Sequence, residues 1–479
     1  MPSRADTHLP VVLTRLTWGL FALVVLGIGL MGVGAEWSLG AVLRVDGLTQ
    51  VMALVTTFVS GIVHSFARRY MAGARRLSVF YGRLFGLTLI VLGLTAANHL
   101  ALFAGLWAAM GWVLADLIGH LKHWPQAQVA AQGARRYFLG GSAGLAAALA
   151  LLGWQAGSST ISGVLASVDT LPTTVVGAAA GLMLLAAMVQ SALVPFQGWL
   201  LSSMTAPTPV SAFMHAGIVN AGGVLIARFA PVLFEETWVM LVIVAVGGVS
   251  ALLGQAWMLV QTNVKRQLGC STVAQMGFMV LQGGLGFVAA AVTHLLLHGF
   301  YKAYLFLASG SVVEPTQPGD SGKEGGLLTG AVSLAAAVGG GLLFAMLTGK
   351  SILPLNSGTL LIAFVVIAVL HATRTMVRQS ALPAATRLWV VPAVLLPTLA
   401  LYAGVYNGVK AFLGGLPGAL MPTALTPLHW ALIGIFVLAY LALERGWHRT
   451  STRLYVALLN TSQPMARTLL TQRDQYHAH

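Results

Sequence analysis

The chain is poor in cysteine and in acid. Cys270 is the only cysteine among 479 residues; a lone cysteine excludes a disulfide framework and any CxxC-type zinc or iron–sulfur site, and it leaves the redox compartment unreadable. Asp and Glu together number 12, and charged residues make up 8% of the chain, against about 25% in a soluble globular domain. So few charges cannot solvate a soluble body of this size, whereas a bilayer needs no charged surface over most of its area. A soluble fold is thereby excluded. What is present agrees: 57% of residues are hydrophobic and the mean hydropathy is +0.83. Basic residues exceed acidic ones by 26 − 12 = 14. In a soluble protein that excess would suggest nucleic acid; here it reads as topology, because Lys and Arg gather in short cytoplasmic loops. No nucleic-acid partner is expected.

A spanning helix needs about 20 mostly apolar residues, and about fourteen such runs can be drawn, near 11–33, 49–66, 82–96, 97–119, 136–155, 174–194, 209–230, 237–260, 267–284, 286–312, 326–348, 357–373, 388–407 and 428–444. The pair either side of Asn98 and His99 reads as two helices or as one longer one. The fold class is therefore all-α polytopic membrane protein, a transmembrane domain over 1–444 followed by a basic tail over 445–479 that carries Arg449, Arg453, Arg467 and Arg473 and is expected to lie on the membrane or on a partner. The first run is too long for a signal peptide, and no small-residue cleavage site follows it. Basic clusters at Arg68, Arg69, Arg75, Arg76 and Arg83, at Lys122, Arg135 and Arg136, at Lys265 and Arg266, and at Arg374 and Arg378 sit beside helix ends and mark the cytoplasmic side. Helix packing accounts for most of the 55 glycines. The one sizeable polar insert is Glu314 to Gly325.

A charged side chain at membrane depth costs several kcal/mol and is a functional candidate by default. Among the acids only Asp116 falls inside a strongly apolar run, Trp107 to Gly119. Among the lysines, Lys302 lies deep in a helix, and Lys350 follows an apolar run that breaks at Gly349 and Pro354. His294, His298 and Lys302 recur every four residues, so they drift by only about 40° per step and line one stripe roughly 12 Å long. Histidine titrates near neutral pH and a buried lysine can become exchangeable, which is what a proton path requires. The competing account is a His pair bonded to backbone with Lys302 snorkelling to a surface; a zinc site lacks a third ligand. Pro195, in Gln190-Ser-Ala-Leu-Val-Pro195-Phe-Gln197, interrupts another span, either to line a cavity or as a packing kink. Pro207-Thr208-Pro209 opens the next helix, which carries His215, Asn220 and Gly222-Gly223 inward.

These stretches resemble a known family, the antiporter-like proton-translocating subunits of respiratory complex I and of multisubunit cation/proton antiporters. The resemblance is carried by Ala206-Pro-Thr-Pro-Val-Ser-Ala-Phe-Met-His215-Ala-Gly, by Val264-Lys-Arg-Gln-Leu-Gly-Cys-Ser-Thr-Val-Ala-Gln-Met-Gly277 and by His294 to Ser311, and extends more weakly from about residue 40 to residue 380. It implies a fourteen-helix unit with two inverted five-helix repeats, each holding a broken helix and half of a proton channel. It also implies that Lys302 is the central lysine of the path, His294 and His298 its relays, and Lys350 the exit lysine on the second broken helix. Two positions depart from the pattern. Gln190 stands where the first half-channel has a lysine, and no acid occurs near Ala108, where its glutamate partner would fall; Asp116, two turns on, is a possible substitute.

Met214-His-Ala-Gly-Ile-Val-Asn-Ala-Gly-Gly223 is similar to the membrane subunit of two-component inorganic-carbon accumulation systems, the DabB family. The residues after the fourteenth run are too few for the long lateral helix of the largest complex I subunit. The resemblance implies a multi-pass protein of the bacterial inner membrane, not itself an enzyme, that couples proton or sodium movement through His215, His294, His298, Lys302 and Lys350 to carbon accumulation. Its partner would be a DabA-like zinc protein resembling a β-carbonic anhydrase, on the cytoplasmic side, with no cofactor in this chain. The alternatives are a cation/proton antiporter or complex I-like subunit, and a non-conducting membrane anchor.

Overall fold

Inside a bilayer every backbone N–H and C=O must be satisfied within the segment, and the helix does this locally. The chain accordingly folds into helices. The computed structural model describes residues 4–310, 327–379, 384–416, 418, 422–465 and 468; the polar insert 314–325 and the tail beyond 468, with Arg473, lie outside them, as does Arg467.

The chain enters through α1 (Arg4–Met31) and turns in a short hairpin, β1 (Trp37–Leu39) with β2 (Leu43–Val45), paired antiparallel. It continues through α2 (Gly47–Tyr70), α3 (Leu77–Ala96), α4 (Leu100–Ile118) and α5 (Pro125–Ala156). The short α6 (Ile161–Ala166) leads to α7 (Thr173–Gln190), α8 (Gly198–Ser202), α9 (Thr208–Ala216), α10 (Ala221–Arg228) and α11 (Ala230–Phe234). Then come α12 (Thr237–Val260), α13 (Val264–Gly284), α14 (Val288–Ala308), α15 (Leu327–Thr348), α16 (Ser357–Gln379), α17 (Ala384–Phe412), α18 (Pro427–Glu444), α19 (Trp447–Thr450) and α20 (Thr452–Thr461).

Among the described residues eleven helical segments are long and apolar enough to cross a membrane, α9 and α10 counting as one. The protein is a multi-pass membrane protein. The remaining apolar runs of the sequence fall on α13, α14 and α17. Lys265, Arg266 and Gln267 dilute α13, and His294, His298 and Lys302 dilute α14, of which His298 and Lys302 are buried by the neighbouring helices. Glycine makes this possible where α12 meets α13: a methyl group on Gly247 would lie 2.6 Å from Leu281 N and 2.7 Å from Gly277 O, so only glycine permits that approach.

Asn98 and His99 separate two helices. Asn98 Oδ1 accepts from Ser162 N at 3.0 Å, and His99 Nδ1 accepts from Ala101 N at 3.2 Å, capping α4. Followed back and forth, the helices place the ends carrying Arg68 and Arg69, Arg76, Lys122, Lys265 and Arg266, and Arg374 on one basic face. The opposite, outer-lying end of α2 begins at Asp46, whose carboxylate pairs with Arg228 at the end of α10; Arg228 Nη2 also donates to Thr49 Oγ1 at 3.1 Å and Thr95 O at 2.9 Å.

The tail does not begin as a free segment at 445. α19 and α20 turn back onto the transmembrane body, where Trp257 Nε1 donates to Thr461 Oγ1 at 2.9 Å, Gln261 Nε2 to Ser462 Oγ at 2.7 Å, and Met465 N to Ser202 Oγ at 2.9 Å. The described tail therefore lies on this chain's own helices, because two of its hydroxyls accept from Trp257 and Gln261 and its Met465 N–H donates to Ser202 of α8 at the basic face.

Candidate functional site

The centre of the molecule is built where a span is broken. α9 stops at Ala216 because Gly217 leaves helical geometry (φ −127°, ψ −62°), a single 3-10 turn covers Ile218–Asn220, and α10 resumes at Ala221. Such a break frees carbonyls, which side chains must satisfy at membrane depth. Asn220 Nδ2 donates to Ala216 O at 2.8 Å, Ser191 Oγ to Val219 O at 2.7 Å, and Gln190 Nε2 to Ile218 O at 3.4 Å. α7 is broken as well: it ends at Gln190, Ala192 takes a φ of +52°, and the chain passes Pro195 before α8. Pro195 is thus in a seven-residue link between two helices and not a kink within one. The two broken spans are pinned together by Gln190 and Ser191.

α14 comes up against the break through Gly299, where a methyl group would lie 2.7 Å from Ala216 O. That close approach brings the His294, His298 and Lys302 stripe beside α9 and α13. Lys302 is fully buried and donates from Nζ to Leu268 O at 3.0 Å. The same carbonyl accepts from Thr272 Oγ1 at 2.9 Å, and Thr272 Oγ1 lies 2.9 Å from Nδ1 of the buried His215. Thr272 Oγ1 thus stands between the Leu268 carbonyl and His215 Nδ1 and joins the two. Among the described residues His215 Nε2 has no protein partner, nor do His298 Nδ1 and Nε2 or His294 Nε2. The His294 and His298 rings stand 6.2 Å apart and nearly parallel, at 16°. Buried polar atoms that no protein group satisfies are where water binds, so the stripe has the chemistry of a hydrated line of nitrogen bases.

Lys302 stands toward the basic face, near the start of α13, and His294 lies two turns nearer the other face. Still further on, Phe287 precedes α14, and Lys350 Nζ is 5.4 Å from its ring centre. Lys350 is not on a broken helix. α15 ends at Thr348, Gly349 takes a φ of +66° that ends the helix, and α16 starts at Ser357 and packs back against α15. Lys350 therefore occupies the turn of a helical hairpin, because Gly349 and Pro354 end one helix before the chain reverses.

Asp116 sits within one turn of the end of α4, between two arginines: Arg83 Nη2 is 2.7 Å from Oδ2 and Arg135 Nη2 2.5 Å from Oδ1. Its carboxylate is committed there, and Gln190 bonds a freed backbone carbonyl instead. The pair that the first half-channel was expected to contain is thus not assembled from these two residues. Sequence reasoning also passed over Thr272, although it stands inside the 264–277 stretch that carried the resemblance, and Gly299, between His298 and Lys302. It missed the aromatic surroundings of Lys350: Phe344 stands six residues before it, but Phe287 and Tyr406 come from distant segments and leave no local signal.

Residues 97–380 match the family model described as NADH:quinone oxidoreductase/Mrp antiporter, TM, and residues 31–81 match that described as NADH-Ubiquinone oxidoreductase (complex I), chain 5 N-terminus. The chain is 38% identical over 286 residues to the probable inorganic carbon transporter subunit DabB1 of Halothiobacillus neapolitanus, covering 58% of this chain and 51% of that protein. It is also 38% identical over 290 residues to NADH-quinone oxidoreductase subunit L of Mycobacterium tuberculosis, covering 60% and 46%. The chain spans about half the length of these curated relatives. Among solved structures, one chain of an archaeal membrane-bound sulfane sulfur reductase, a respiratory membrane complex, superposes with a TM-score of 0.59 at 18% identity over 97% of each chain, a likeness of fold alone. The line from His215 to Lys350 lies wholly inside the longer match, and the chain belongs to the NADH:quinone oxidoreductase/Mrp antiporter family of membrane proteins.

Proposed function

We propose that this chain is a proton-conducting subunit of the bacterial inner membrane that powers inorganic-carbon accumulation by a DabA-like zinc protein bound at its basic, cytoplasmic face. The observation that carries the reading is the buried line itself: Lys302 on Leu268 O, His215 joined to the same carbonyl through Thr272, and two stacked histidines leading toward Lys350. A buried cation costs several kcal/mol in a bilayer, which a mere anchor gains nothing by keeping. The cargo is H+ and not Na+. A hard cation wants several oxygen ligands, whereas the line offers imidazoles and ammonium groups; Glu36, Asp46, Asp116 and Glu444 are each paired with arginine. Protonation acts by charge. When Lys302 cycles between ammonium and amine, the affinity of neighbouring or partner groups shifts by a coupling free energy of about 1–3 kcal/mol, and zinc chemistry in the partner is drawn one way by it.

Growth in ordinary air of a bacterium lacking carbonic anhydrase, with this chain and the large zinc protein expressed together, tests the proposal. Rescue that needs both chains and that a protonophore removes supports it. Absence of rescue with both proteins in the membrane would overturn it in favour of the second reading, a cation/proton antiporter or complex I-like subunit, which the equal identity to subunit L favours.

A further inference from the structure

Lys350 has no hydrogen-bond partner for its buried Nζ among the described residues. In place of an acceptor it has three rings: Tyr406 at 3.9 Å, Phe344 at 5.3 Å and Phe287 at 5.4 Å from Nζ to the ring centres. All three are themselves buried, and they come from α17, from α15 and from the residue preceding α14. The faces of such rings attract a cation, the more so when it is desolvated. Among the described residues no carboxylate pairs with it, and the charge that reaches it from α17 is the like charge of Lys410.

We propose that Phe287, Phe344 and Tyr406 form a cage that makes Lys350 the gate at the outer end of the proton line, closed while its ammonium is inside and open when the side chain leaves. The reason is chemical. An aromatic face stabilises the charge of an ammonium but cannot take its proton, so a caged Lys350 keeps the proton it carries and blocks exchange between the line and the outer face. Release requires the side chain to turn out, where one N–H proton passes to water and the resulting amine takes one back from the histidine side. The residue that holds the backbone of Phe287 also carries an unsatisfied acceptor that an ammonium leaving the cage could take. Gln282, at the end of α13, has a buried Oε1 with no partner among the described residues, and its backbone carbonyl accepts from Phe287 N at 3.1 Å. The cage would thus hold a cation out of contact with any base until the line is ready to receive it.

This inference rests on the proton reading above, and its first readout does not depend on transport. A membrane-impermeant amine reagent is applied from the outer face to the full-length chain in vesicles, and modification of Lys350 is read by mass spectrometry. A companion measurement records proton leak after an acid pulse in vesicles holding the chain with its partner. Tyr406→Leu removes a ring face, and Tyr406→Phe keeps it. The expected result is a roughly tenfold or greater rise in both labelling and leak for Tyr406→Leu, with Tyr406→Phe at the wild-type level. Unchanged labelling in Tyr406→Leu, or an equal rise in Tyr406→Phe, would overturn the cage. Phe344→Leu, on a different helix, must repeat the Leu result, so the question is still decided if Tyr406→Leu fails to fold. Labelling that follows the cage while no variant or wild type moves protons would instead count against the proton reading.

Discussion

Lys302 is an ammonium inside a membrane protein with one carbonyl to donate to, and Thr272 ties that carbonyl to His215. Removing the ammonium by Lys302→Ala is expected to lower proton-coupled uptake by at least about 100-fold, the scale on which a single proton-transfer group acts, with the amount of protein in the membrane unchanged. Full uptake by that variant in a radiolabelled-carbonate assay would contradict the path. Thr272→Val keeps the shape of the side chain and removes the hydroxyl, leaving His215 Nδ1 without its partner. A buried group so orphaned costs about 1–3 kcal/mol, so uptake is expected to fall about tenfold while Thr272→Ser restores it. The His294, His298 and Lys302 spacing was legible in the sequence, because a four-residue repeat on a helix fixes a common face. Thr272 and Leu268 were not, since what makes them relevant is the approach of α13 to α14.

The broken span from α9 to α10 depends on contacts that only small or polar residues can make. A side chain at Gly299 would drive α14 away from Ala216 O, so Gly299→Ala is expected to destabilise the protein by about 1–3 kcal/mol, the usual cost of overpacking, and to depress uptake with it; thermal unfolding in detergent measures the first. Ser191→Ala leaves Val219 O unsatisfied and is expected to cost a similar amount. Pro195 and the run of prolines at Pro207 announced irregular backbone from the sequence. The break at Gly217 was less visible, because a glycine in an apolar helix is ordinarily read as packing. Lys350 shows the converse: the sequence marks the end of a helix at Gly349, but whether the chain continues across the bilayer or reverses is settled by the packing of α16 on α15.

For the whole molecule, the buried pair of Asp46 and Arg228 ties the start of α2 to the end of the broken span. Burial works to raise the Asp46 carboxyl, but the Arg228 charge and the hydrogen bonds from Arg228 and Thr49 hold it below its ordinary value of 3.8. A folded-state value that is depressed contributes stability present above the unfolded value and lost as pH falls through the folded one. Thermal stability in detergent is therefore expected to hold from neutral pH to about pH 4 and to drop below it. Asp46→Asn should remove that acid-dependent drop and lower stability at neutral pH by about 3–5 kcal/mol, because it strands a buried guanidinium.

Composition and periodicity by themselves determined the solvent, the fold class, the approximate spans, the basic face and the Lys302 stripe. Each follows from local chemistry: apolar runs cannot stay in water, charges cannot stay in lipid without reason, and helical spacing is fixed. Tertiary structure decided which polar groups meet. It gave Asp116 to Arg83 and Arg135, placed Gln190 on a freed carbonyl, returned the described tail to the body of the protein, and enclosed Lys350 in rings from two helices and a loop. All of those partners but Phe344 lie tens to hundreds of residues from the group they meet, and no local pattern records a contact that exists only once the helices have packed.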